Sequence, residues 1–103
     1  MKVQNIYDSI SQNIDQELFE VLLEQGSVKI QRIVSTGQVS SSWYDQDFNE
    51  WVIVLKGAAM ICFEDKQTIH LEEGSYINIP AHKKHRVSWT SLQSETVWLA
   101  VCY

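Results

Sequence analysis

The chain has 103 residues, 45% of them hydrophobic, with a net charge of −5, four glycines, one proline and two cysteines. That is the scale of one domain with one core; it argues against extensive disorder, and the negative charge argues against nonspecific nucleic-acid binding, which relies on basic patches matching phosphates. No apolar run approaches the ~20 residues that span a bilayer and the N-terminal residues lack an apolar signal core, so the expectation is a cytoplasmic protein without membrane contact.

In chain order, residues 1–12 are polar with scattered apolar positions and read as an irregular arm. The next segment reads as a short helix. Asn13 is placed as its N-cap with Gln16 as the reciprocal partner, and Asp15 and Glu17 stand in its first turn. Ile14, Leu18, Val21, Leu22 and Gln25 follow helical spacing, and Gly26 supplies the stop. Residues 1–26 are thus expected as an arm and helix, and 27–103 as a β-barrel, in one domain overall.

From Val28 the period shortens to two. Strands are expected at 28–34, 51–56, 58–63, 68–71, 76–79, 86–89 and 96–103. They are separated by a polar loop at 35–42 and by turns such as EDKQ at 64–67 and EEG at 72–74. Short strands with turns between them and no βαβ spacing argue for an all-β sandwich or barrel. In WVIVLK (51–56) and TVWLAVCY (96–103) the residues on both strand faces are apolar, so both faces should be covered. A homodimer with a sheet-face contact is the expected partner arrangement. Cys62 and Cys102 lie in apolar strand segments and are expected as buried thiols, with a disulfide between them left open.

Two blocks carry the chemistry. The first is Gly37, five residues, Trp43-Tyr44-Asp45, four residues, Glu50, six residues, Gly57; the second is Gly74, five residues, Pro80-Ala81-His82, two residues, His85, three residues, Trp89. These blocks resemble the two motifs of the cupin superfamily. Gly37, Glu50 and Gly57 fall in register for the first, and Gly74, Pro80 and His85 for the second. The sixteen residues between Gly57 and Gly74 suit small microbial cupins. The resemblance implies a double-stranded β-helix (jelly-roll) barrel, to which the residue spacing adds one short N-terminal helix. It also implies a divalent metal held by two histidines and a glutamate of the first motif and a histidine of the second. Here Trp43 and Asp45 stand at the two histidine positions, His82 replaces a glycine and Trp89 an asparagine.

A metal set of Asp45, Glu50 and His85 is therefore the candidate, with Gln46 or His82 as a fourth ligand and Fe(II), Mn(II), Ni(II) or Zn(II) as the ion. The competing reading is a barrel that has lost its metal and keeps Glu50 and His85 as a hydrogen-bonded pair. Strand parity from His85 turns Val87 and Trp89 inward, so Trp43, Tyr76 and Trp89 are candidate walls of a small-molecule pocket. Arg86 should point the other way, and His70 outward. Tyr44 and His82 are the candidates for moving a proton.

The resulting function is a stand-alone cupin that binds a small organic ligand in its barrel, with or without a divalent metal. The alternatives are a metal-dependent enzyme of dioxygenase, isomerase or lyase type, a metal-free sensor or carrier, and metal-free acid–base catalysis by His85 oriented by Glu50.

Overall fold

The structure is a computed structural model and describes residues 1–12 and 14–103. It contains eight strands: β1 (Leu18–Gln25), β2 (Val28–Ser35), β3 (Glu50–Lys56), β4 (Ala58–Phe63), β5 (Thr68–Glu72), β6 (Tyr76–Ile79), β7 (His85–Thr90) and β8 (Thr96–Cys102). They form a five-stranded sheet in the order β1-β2-β8-β3-β6 and a three-stranded sheet in the order β5-β4-β7. Every ladder is antiparallel. The ladders do not join the two sheets, so the all-β architecture is a two-sheet sandwich rather than a closed barrel.

The expected N-terminal helix is not present: no helix occurs among the described residues, and Leu18–Gln25 is a strand. The proposed cap, Asn13, lies outside the described residues. Gly26 explains the difference. Gln25 pairs with Val28, which leaves Gly26 and Ser27 as a two-residue hairpin loop, and Gly26 has a φ of +59°. Tight hairpins need that left-handed conformation, and glycine adopts it at little cost. The glycine that could end a helix instead folds β1 back onto β2, and the ladder takes up the backbone groups a helix would have satisfied internally. An extra residue at Leu22 bulges β1 between Val21 and Leu23, which blurs the alternation in sequence.

Elsewhere parity places the core. Val52 and Val54 of β3, Ile33 of β2, and Trp98 and Ala100 of β8 face Ala59, Ile61 and Phe63 of β4 and Leu71 of β5. Burying each large aliphatic or aromatic side chain here contributes about 1.5–3 kcal/mol before chain entropy is counted. Arg32 is buried on the opposite side of β2. It donates to Glu20 at 2.6 Å and to the carbonyls of Ile6 and Asp8, which ties the N-terminal arm to the larger sheet. Both cysteines are free. No helix among the described residues is long and apolar enough to cross a membrane.

Candidate functional site

A cavity of about 70 Å3 lies between the sheets. Its walls are mostly apolar, with Val52, Ile61, Ile79 and Val87 among them, and its polar groups are Glu17, Tyr44, Gln46, Glu50 and His85.

Glu50 is the first residue of β3 and is paired on one side with Ile79 and on the other with Cys102. It shares the inward parity of Val52 and Val54. His85 is the first residue of β7, opposite Phe63. The imidazole is 4% exposed and is flanked by the rings of Tyr44 at 5.6 Å and Phe63 at 6.3 Å. Its Nδ1 lies 2.9 Å from the Lys83 carbonyl oxygen, and its Nε2 lies 3.9 Å from Glu50 Oε1. The latter is an ion-pair distance if the ring is charged, and it is too long for a direct hydrogen bond. Tyr44 is held in place by its main chain, which bridges to His85 through both N–H groups at 2.7 and 3.1 Å.

Glu17 completes the polar end, and sequence reasoning had assigned it to a helix terminus. It immediately precedes β1, whose first residue Leu18 pairs with Val34, and its side chain meets Ser35. The fully buried Ser35 hydroxyl donates to Glu17 Oε2 and accepts from Trp98 Nε1 at 3.1 Å. Two carboxyl groups therefore line one cavity. Burial pushes both above the ordinary carboxylate range; the Ser35 hydrogen bond partly opposes this at Glu17, and the Glu17 charge adds to it at Glu50. The Cys102 thiol, beside Glu50 in the ladder, is raised by burial and then by that carboxylate.

Several sequence candidates fall elsewhere. Asp45 points away from the cavity and is about half exposed; its Oδ1 lies 2.9 Å from His82 Nδ1, on a more exposed side chain. Tyr44 and Gln46 take the inward positions on either side of it. His82 occupies the glycine position of the motif with φ +63°, so its ring is carried out to solvent. Trp43 stacks under the Arg86 guanidinium, 5.3 Å from it, and Tyr76 packs on Trp51 on the outer face. Trp89 faces outward against His70. The reason is a bulge: Met60 pairs with Trp89 but Ile61 pairs with Val87, so Ser88 is an extra residue and parity reverses beyond it. Val87 faces in as expected, and Trp89 does not.

The metal set inferred from the motif does not assemble. Its two remaining family-type donors, Glu50 and His85, converge, while Asp45 is turned outward. Among the described residues no group of three His, Cys, Asp or Glu side chains could hold a metal ion. A bound divalent ion ordinarily takes three or more protein donors, so the residues present do not fit one.

Comparison with known proteins agrees with the architecture. A family model described as "Cupin domain" matches residues 32–102. No curated protein matches the chain. Among solved structures, a protein from Ralstonia eutropha JMP134 titled as a putative mannose-6-phosphate isomerase is 40% identical. The match covers 99% of this chain and 97% of that one, with a TM-score of 0.94. A cupin superfamily protein from Desulfitobacterium hafniense DCB-2 is 23% identical over 90% of this chain and 82% of its own, with a TM-score of 0.76. A double-stranded β-helix protein from Klebsiella pneumoniae is 14% identical over 99% and 89%, with a TM-score of 0.80. The last two show similarity of fold alone.

Proposed function

Because this chain belongs to the cupin family, we propose that it binds a small organic molecule in the cavity between its sheets, and that Glu50 and His85 make the polar contacts without a metal ion. The observation that carries this reading is the buried His85. Its Nε2 opens on the largely apolar cavity, 3.9 Å from Glu50 Oε1. Apolar walls with a few convergent polar groups are the usual make-up of a ligand site. Cupins often bind metals, but the donors that would do so are not brought together here.

The Ralstonia relative is titled for a sugar phosphate, and that substrate does not suit this cavity. Among the described residues no Lys or Arg lines it, whereas Glu17 and Glu50 do. A phosphate dianion would meet two acidic groups in a space of about 70 Å3.

The test is a small-molecule library screened by thermal shift, followed by Val87→Phe, which fills the cavity from β7. Compounds that stabilise the natural chain should lose their effect in Val87→Phe. Hits that persist in that variant, or a library with no hits, would refute cavity binding. In a parallel arm, stoichiometric uptake of Fe(II), Mn(II), Ni(II) or Zn(II) after dialysis would refute the metal-free reading.

A further inference from the structure

The mouth of the cavity lies beside the least covered strand of the fold. Among the described residues that line the cavity, only Phe19 of β1 and Tyr44 are exposed, so the opening runs between them. A surface groove continues from it, sharing Glu17, Phe19 and Tyr44 with the cavity and reaching the exposed Val39. β1 is the outer strand of a five-stranded sheet that faces a sheet of three. It packs on β2, and no residue of β1 belongs to the core cluster. Phe19, paired with Ile33, and Val21 share the cavity side; Leu23 lies on the opposite face, beyond the bulge at Leu22. These four side chains stand about half exposed.

An edge that is apolar on both faces is a template for another strand. β1 has neither the lysines nor the prolines that guard a free edge, and its only charges are Glu24 and Glu20, the latter already paired with Arg32. The N-terminal arm is not the cover. Arg32 already holds it through the Ile6 and Asp8 carbonyls, and the four side chains are exposed with the arm in place. A second copy suits the edge, because antiparallel pairing of identical strands is self-complementary about a twofold axis. An edge of eight residues is about 27 Å long, and with its flanking apolar side chains it offers about 500 Å2 per copy, which in a pair reaches the ~1,000 Å2 that a specific interface needs.

We propose that a second copy of this chain pairs along β1 and that the two copies wall each other's cavity mouths. Residues directly across an antiparallel pair face the same side. Phe19 and Val21 of both copies would thus form one apolar floor on the cavity side, and the two mouths would open toward each other across it. Tyr44, at the other lip, would lose contact with bulk water. The binding site is then complete only in the dimer. This inference goes beyond the cavity-binding reading and needs no identified ligand.

The test uses the full chain without ligand, so its failure leaves cavity binding to the library screen with Val87→Phe. Sedimentation equilibrium across the micromolar range should show a dimer. Val21→Lys, which places a guarding charge on the edge, should weaken that dimer about tenfold or more. Hydrogen exchange should show the amides of Leu18–Gln25 better protected at dimer than at monomer concentration. Fluorotyrosine labelling, with Tyr44 assigned through Tyr44→Phe, reads the mouth: the solvent-isotope shift at Tyr44 should fall as the dimer forms. A monomer throughout, or a dimer that Val21→Lys leaves intact, would overturn the proposal. So would a β1-dependent dimer in which Tyr44 stays as exposed as in the monomer. Should Val21→Lys not fold, the natural chain decides: equal protection of Leu18–Gln25 at both concentrations refutes pairing on β1.

Discussion

Replacing Ser35 by alanine should destabilise the fold and release Glu17 together. Ser35 is fully buried and its hydroxyl serves two neighbours: it donates to the Glu17 carboxylate and accepts from the Trp98 indole at 3.1 Å. Ser35→Ala removes both bonds and leaves both partners in place. The indole belongs to a side chain that is 3% exposed, so its N–H finds no water to replace the serine. An unsatisfied buried group costs about 1–3 kcal/mol; about 2 for the buried indole and about 1 for the less buried Glu17 carboxyl give a loss of about 3 kcal/mol. For a domain of this length that corresponds to a fall of roughly 12–24 °C in Tm. Urea denaturation of Ser35→Ala, Trp98→Phe and the double variant forms a cycle that isolates the indole–serine bond. Because the two residues touch, the effects should be non-additive by about 1 kcal/mol. A Ser35→Ala midpoint within about 0.5 kcal/mol of the natural chain, as for an ordinary surface change, would refute the relay. So would strict additivity across the cycle.

Three further outcomes are expected. Both Glu17 and Glu50 hold their protons more tightly folded than unfolded, so their contribution to stability is fully present below the ordinary carboxyl range near ~4.3 and is lost as pH rises through the raised folded values. Glu50→Gln should therefore match the natural chain at acid pH and exceed it in Tm at neutral pH; a Glu50→Gln chain that is less stable at neutral pH would contradict this. Trp89→Ala should leave ligand-induced thermal shifts unchanged and lose only the outward packing on His70, about 0.5–1.5 kcal/mol for an aromatic pair. A homodimer is also expected, with a second copy on β1. That strand is a sheet edge with free main-chain groups, and its Phe19, Val21, Leu22 and Leu23 are each about half exposed. Antiparallel pairing of an edge with its own copy is self-complementary about a twofold axis. Sedimentation equilibrium showing a monomer at micromolar concentration would refute it, and Val21→Lys should shift a dimer toward monomer.

What the sequence made legible depended on whether one local rule acted alone. From β3 onward, apolar alternation and turn residues set strand limits that match the structure to within a residue, as at Ala58–Phe63 and Tyr76–Ile79. Glu50 and His85 were named from the motif resemblance, one residue ahead of the strands expected at 51–56 and 86–89, and both line the cavity. The first 26 residues misled because two rules competed there. Leu18, Val21, Leu22 and Gln25 satisfy a helical period only because a bulge at Leu22 interrupts the strand period. Glu17 was missed for the same reason, since its partner Ser35 is found only through the β1–β2 register. The hairpin signal was nevertheless present in Gly26-Ser27, two residues between apolar runs. Asp45 was misplaced because its motif position was taken as a direction, whereas the inward positions belong to Tyr44 and Gln46.

The bulge at Ser88 makes the lining of the cavity depend on how β7 pairs with β4 as well as on side-chain identity. Val87 faces inward before it, Trp89 outward after it, and Thr90 returns to the interior, where it donates to the Gln38 carbonyl at 2.7 Å. Without the bulge, strict alternation through Ser88 would bring the Trp89 indole into the space now bounded by Val87 and send Thr90 out to solvent. The outward course of Trp89, and with it the open chamber, is thus set by one irregular pairing in the β4–β7 ladder, outside the lining itself.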